Sequence, residues 1–434
     1  MLRHFAFCSA IILFVPLALG GEAANSRDWP QWRGPDRNAV STETGLLHEW
    51  PAEGPKLLWN SRTANNNKSV GTGYSSLSVA GGRIFTMGDR EGKGFVFALD
   101  EKTGKHLWAT HISPGQGDGP RCTPTVDDDR VYALSRQGEL VCLGVEKGDI
   151  IWRKNYRKEF GGHMMSGWDY SESPLVDGDK LVCTPGDDSA ALVALNKYTG
   201  AVIWKAKVPR AEKQDHEGAG YASIVVADVG GIRQYITLLG QSKGVVGIDA
   251  TTGKYLWHYN RISNSTANIP TPLVKGDLVF CSTGYGAGAA LLQLVATRDG
   301  GIKAREVYFL DGNVLQNHHG GMVMVGDYIY GGHGHSNGLP FCLNMKTGKF
   351  AWKPVRGAGS GSAAVVYADK YLVFRYENNV MALVEATPAG YNLVSKFNLP
   401  GNLSTPGWQH PVIVHGKLFI RGNDQILCYD VKQH

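Results

Sequence analysis

An eleven-residue pattern recurs five times and constrains this chain more than any other feature. Each copy opens on a small residue (Ala98, Cys142, Ala194, Gly247, Cys342), carries glycine at its seventh position (Gly104, Gly148, Gly200, Gly253, Gly348) and ends on tryptophan (Trp108, Trp152, Trp204, Trp257, Trp352). The copies alternate out of one strand, turn at the glycine and enter a second strand. Consecutive starts lie 44, 52 and 53 residues apart, and the last interval of 95 has room for two units. A period of this length means stacked β-units. The 56 glycines suit a chain of many tight turns.

Turn signals such as Asp177-Gly178-Asp179 and Tyr198-Thr199-Gly200 divide each unit into four strands. Closing aromatics fall at Trp59, Trp108, Trp152, Trp204, Trp257, Tyr308, Trp352 and Phe397. The spacing predicts an all-β fold, an eight-bladed β-propeller of four-stranded antiparallel blades over residues 56–434. The last unit has three strands of its own, and an early strand at 56–61 supplies the fourth. Such a closure removes two exposed sheet edges. A seven-bladed ring and an open solenoid are the competing readings.

Outside the repeats, Arg3 and His4 precede an apolar run from Phe5 to Leu19 and small residues at Ala18–Gly20. This reads as a signal peptide over 1–20, and implies a periplasmic or secreted protein of bacterial type, with no membrane span after cleavage and expected to be a monomer. Residues 21–55 hold Asp28-Trp29-Pro30-Gln31-Trp32-Arg33-Gly34-Pro35. Prolines and glycines argue against helix there, so the segment reads as an extended arm docked on the body; a binding surface made by Trp29 and Trp32 is the alternative. The net charge of +5 is spread along the chain without a basic block, which gives nucleic-acid binding no support. Six cysteines follow the apolar run with no CxxC and no adjacent pair, and buried thiols are expected.

The pattern Ala-x-Asp-x-x-x-Gly-x-x-x-Trp, matched by Ala98, Asp100, Gly104 and Trp108, resembles the tryptophan-docking repeat of quinoprotein-type propellers, the family built on the pyrroloquinoline quinone (PQQ) repeat, related in architecture to WD40-like propellers. Tyr308 and Phe397 depart from it. The opening Trp-Pro-Gln-Trp-Arg-Gly-Pro is similar to that of secreted members found in planctomycete-type bacteria. The resemblance is specific for fold and weak for function, because the repeat residues pack blades together.

Chain direction assigns loops to faces. Approach loops into the first strand of each blade share a face with the connectors between strands two and three, and there polar and aromatic residues gather around the axis. Trp168, Asp169, Glu172, His216, Tyr221, His318, His319, Gln409 and His410 are the ligand-binding candidates of this funnel. His318, His319, His333 and His335 are candidate metal ligands. Asp169, Glu172 and His216 could perform acid–base chemistry or hold a hard cation, or could simply bond loop amides. No catalytic residue stands out. Turns on the opposite face (127–129, 177–179, 275–277, 415–417) read as interchangeable hairpins.

Two functions compete. The first is an exported, non-catalytic propeller that binds an envelope or extracellular protein, peptide or glycan through the funnel. The second, implied by the resemblance, is a quinoprotein dehydrogenase oxidising an alcohol or sugar with PQQ and calcium. For that role the resemblance implies Trp168 as the stacking residue and Asp169 and Glu172 at the cation, but the adjacent cysteine pair common in such enzymes is missing from the sequence.

Overall fold

A computed structural model describes residues 28–209, 215–401, 403, 406–422 and 424–434. The signal-peptide reading of residues 1–20 lies outside them. Eight four-stranded antiparallel sheets form an eight-bladed propeller, with short helices at Ser61–Ala64 and Tyr156–Phe160. Blade one comprises Ser78–Ala80, Arg83–Arg90, Lys93–Asp100 and His106–Pro114, and each later blade repeats this meander. Blade eight takes Val412–Val414, Lys417–Gly422 and Gln425–Asp430 from the end of the chain, and its outer strand, Leu57–Asn60, from the beginning. Trp59 pairs across to Cys428. No described helix is long and apolar enough to cross a membrane.

The repeat residues have separable physical jobs. The small first residue sits opposite the tryptophan of its own blade: Ala98 pairs with Trp108, Cys142 with Trp152, Ala194 with Trp204 and Cys342 with Trp352. A larger side chain would occupy the space over which the indole lies. The glycine serves the preceding blade. A Cβ on Gly148 would stand 2.5 Å from Cε3 of Trp108, and one on Gly104 2.5 Å from Cε3 of Trp59. Both glycines also have positive φ, +71° and +69°, where a side chain is strained. Each indole then donates to the next blade: Trp108 Nε1 to Val145 O at 2.9 Å, Trp152 to Lys197 O at 3.1 Å, Trp352 to Thr387 O at 3.0 Å. Tyr308 makes the equivalent bond through its hydroxyl, to Met345 O at 2.6 Å. Blade four departs: Trp257 folds back over Gly247 and donates to Gln234 of its own sheet at 2.6 Å. All six described cysteines are buried free thiols.

The turns on the face away from the funnel are not interchangeable, because their charges clamp neighbouring blades. Asp177 takes Arg233 at 2.9 Å and the Tyr235 hydroxyl at 2.7 Å from blade four. Asp127 pairs with Lys197 at 2.5 Å, Lys275 with Asp327 at 2.7 Å, and Glu101 with Lys417 at 2.8 Å. Sequence spacing placed these turns on one face but could not show which side chains meet across a blade boundary.

Candidate functional site

The arm builds the site. From Asp28, bonded to the Gly81 amide at 3.1 Å in a turn of the far face, the chain rises into the axial channel. Trp29 exchanges two 2.8 Å backbone bonds with Val79 of blade one, and Pro30 O accepts from Val126 N of blade two. The loop then reverses through Arg33, Gly34 and Arg37, all at positive φ. Gly34 lies on the Trp29 indole, whose ring carbons would stand 3.1 Å from a Cβ. Arg33 donates to Met322 O of blade six, and Arg37 donates to Ser173 O at 2.5 Å and Pro174 O at 3.0 Å in blade three. Both guanidiniums are fully buried, and burial is the first cause that lowers each pKa to about 10. Both therefore remain cationic near neutral pH and lock the loop to carbonyls. Trp32, held by a 3.1 Å bond to Thr271, closes the channel from below.

Above it lies a cavity of about 330 Å³ walled by approach loops of blades one to six and eight. Trp32, Tyr74, Trp168, Tyr221, Tyr285 and Trp408 give it an aromatic lining. Tyr221 bonds Ser166 at 2.6 Å and meets Trp168 edge-on at 6.2 Å between ring centres. Arg121, bonded to Asp118 at 2.8 Å and to Trp168 O at 2.7 Å, fixes the rim.

Of the residues singled out in the sequence, Trp168, Tyr221, His318, His319 and His410 line this cup. Asp169, Glu172, His216 and Gln409 do not. Asp169 is held by Arg157 at 3.0 Å and Arg136 at 3.3 Å. Glu172 is sealed beneath the wall, accepting from Tyr156 at 3.0 Å and the Thr184 amide at 2.6 Å. Burial raises its pKa, against these hydrogen bonds and Arg37. Gln409 is buried and donates to Gly73 O at 2.8 Å, while His216 is exposed outside the cup. His333 accepts from the Gln316 amide at 3.2 Å, and exposed His335 packs on Tyr285 and His318.

The histidines are packed ring on ring: His318 lies 3.9 Å from His319, and His319 lies 4.5 Å from Trp408. Burial is the first cause that lowers their pKa values, with neighbouring cationic groups adding to it. His318 falls to about 4, with His335 beside it. His410 falls to about 3, with Arg33 and Arg375 beside it. His319 falls well below its ordinary value, facing His318, His410 and His335. His319 lies 3.8 Å from Glu377, a distance compatible with an ion pair, but at neutral pH its buried ring is uncharged and the contact is not one.

Of the arm pair offered as an alternative binding surface, Trp32 lines the cup and Trp29 is buried beneath it, while Tyr285 and Glu377 were not foreseen. The last two occupy connectors between strands two and three of blades five and seven, the position that His333 and His335 hold in blade six.

A quinone with calcium does not fit these residues. Calcium takes six to eight oxygen ligands, whereas the carboxylates here are Asp118, already held by Arg121 and Arg136, and Glu377, which sits beside His319 among imidazoles. Of the two acids that the resemblance implied for the cation, Asp169 is taken up by Arg157 and Arg136, and Glu172 lies buried outside the cavity lining.

The family model described as outer membrane protein assembly factor BamB matches residues 92–354. BamB of Xanthomonas campestris pv. campestris is 35% identical over 104 residues, 24% of this chain and 25% of that protein. Lupanine 17-hydroxylase (cytochrome c) of a Pseudomonas species is 25% identical over 213 residues, 46% of this chain and 29% of that protein. The chain thus spans less than a third of either relative's length. BamB of Yersinia pestis is 24% identical over 371 residues, 76% of this chain and 88% of that protein. Among solved structures, BamB from Moraxella catarrhalis superposes with TM-score 0.58 at 16% identity, covering 83% of this chain and 95% of that one. Quinohemoprotein alcohol dehydrogenase from Comamonas testosteroni superposes with TM-score 0.61 at 13% identity, covering 94% and 81%. At such identities these likenesses show the fold alone. With the family model matching more than half of its length and the docking repeat in place, the chain belongs to the PQQ-like repeat β-propeller family.

Proposed function

We propose that this protein is an exported binding propeller that takes an aromatic or apolar segment of an envelope protein into its axial cup. The observation that carries this reading is the aromatic cup itself, lined by Trp32, Trp168, Trp408, Tyr74, Tyr221 and Tyr285. Concave apolar pockets with a few placed polar groups are the usual form of a ligand site, and tryptophan and tyrosine dominate the energetics of protein recognition. The relatives divide between outer membrane protein assembly factors and oxidoreductases by name. The poor fit of this cup to a calcium–quinone pair favours the binding side of that division.

Titration of the full chain with peptides rich in aromatic residues tests the reading. Trp168→Ala and Trp408→Ala should each weaken the best peptide by about 30-fold, a hot-spot loss of roughly 2 kcal/mol, with little change in Tm. Unchanged affinity in both variants would remove the cup as the peptide site. Oligosaccharides binding where no peptide does would transfer it to glycans.

A further inference from the structure

The cup wall also holds a cluster that peptide binding does not require. His318, His319 and Glu377 each bring a ligand-capable atom to a point where all three lie within 4.8 Å of one another. Two of these groups have buried atoms without a hydrogen-bond partner in the protein: Nε2 of His319 and Oε1 of Glu377, which face each other at 3.8 Å. Buried polar groups left unpaired cost stability, and two potential donors to one ion facing each other point to something held between them. His318 is bonded at both nitrogens, Nδ1 to the Ser362 hydroxyl and Nε2 to the Tyr285 hydroxyl, each at 3.1 Å. A change of the Ser362 side-chain rotamer carries its oxygen off Nδ1 and frees that lone pair. The other hydroxyl then orients the ring from behind, as outer partners of metal-bound histidines commonly do. Gly361 leaves room for the Glu377 side chain: a Cβ there would stand 2.6 Å from Oε2.

We propose that His318, His319 and Glu377 form a zinc site on the wall of the cup, with a remaining coordination position turned toward the cavity. Two imidazoles and one carboxylate are a donor set of zinc sites that keep a position open, whereas calcium and magnesium favour oxygen ligands throughout. Tetrahedral zinc, with ligands at 2.0–2.1 Å, brings its donors to about 3.4 Å from one another. The cluster reaches that spacing by side-chain adjustment, chiefly of Glu377, whose exposure of 20% leaves it room to move. Both histidines line the cavity, so the open position faces whatever enters the cup. The cluster joins blades six and seven, which places the ion at a blade boundary.

The test uses the full chain, stripped with a chelator and titrated with zinc chloride by calorimetry, with metal content measured after dialysis. One zinc per chain is expected, with calcium chloride giving no heat. Cobalt substitution should give the visible absorption of a tetrahedral site. Glu377→Gln, which preserves shape, and His319→Ala should each weaken zinc by more than about 100-fold, since loss of a ligand exceeds loss of an outer partner. Both should abolish the cobalt spectrum. His216→Ala, exposed and away from the cup, should keep both signals. If His319→Ala fails to fold by circular dichroism, the near-isosteric Glu377→Gln decides. No zinc bound, or zinc retained at parent affinity in Glu377→Gln, overturns the site. Zinc binding needs no peptide, so a cup that binds zinc and no peptide leaves this inference standing and removes the preceding one.

Discussion

The indole of Trp32 lies 4.5 Å, ring centre to ring centre, from the imidazole of His410. An arm residue from the start of the chain thus touches the last blade at the floor of the cup, and the arm is as much part of the site as the loops. Trp32→Ala should open that floor. Peptide affinity should fall at least as far as in Trp408→Ala, with a stability loss of about 2 kcal/mol, below that of a fully buried indole. Denaturant unfolding and peptide titration on the same sample separate the two effects.

Blade docking carries a second expectation. Gly148→Ala puts a methyl against Trp108 at a φ that disfavours it, so it should destabilise by about 2–4 kcal/mol. Trp204→Ala, removing a buried indole, should cost roughly 3–5 kcal/mol. Urea unfolding checks both. An unchanged midpoint in either would contradict the role given to the repeat.

Most of this fold was legible because one chemical pattern recurs in five of the eight blades. A glycine seven residues in and an aromatic four residues later report a turn stacked on the neighbouring blade's ring, and Tyr308 can replace tryptophan because its hydroxyl reaches Met345. The site was legible only by face. Trp168 and His318 reach the cup, whereas Asp169 and Glu172 lie in the same loop and are drawn away by Arg157, Arg136, Tyr156 and Thr184. Those partners are up to 33 residues distant, and no local spacing announces them. Trp32 was named with Trp29 as an alternative binding surface; of the two only Trp32 lines the cavity, and an aperiodic arm does not say which channel it enters.

Ring closure gives a third expectation. Deleting residues 21–61 removes both the floor of the cup and the strand that pairs with Leu427–Tyr429. The exposed edge should lead to aggregation, visible by size-exclusion chromatography. A monomer as stable as the parent would contradict the closure.

Acid should loosen the cup before it titrates the far-face carboxylates. His318 and His410 take up protons near 6.5 when unfolded but only near about 4 and about 3 when folded. Between those values the unfolded chain binds more protons, so their contribution is complete above pH 6.5 and declines as pH falls toward 4. Each can change stability by at most about 1.4 kcal/mol per pH unit. His415, raised by its hydrogen bond to Glu101, acts with the opposite sign: its contribution is complete below 6.5 and is lost as pH rises through its raised value. Unfolding curves at pH 7.5, 6.0 and 5.0 should show falling stability, and His410→Gln should flatten the slope. An equal slope in that variant would remove His410 as a source.

Photo-cross-linking from inside the cup tests the central claim most directly. A benzophenone amino acid at position 285 places the reactive group in the cavity, and the same group at position 107 lies on an exposed outer strand. Position 285 should yield a discrete adduct with an envelope polypeptide, suppressed by the best-binding peptide, and position 107 should not. Adducts from 107 with none from 285 would contradict recognition through the cup.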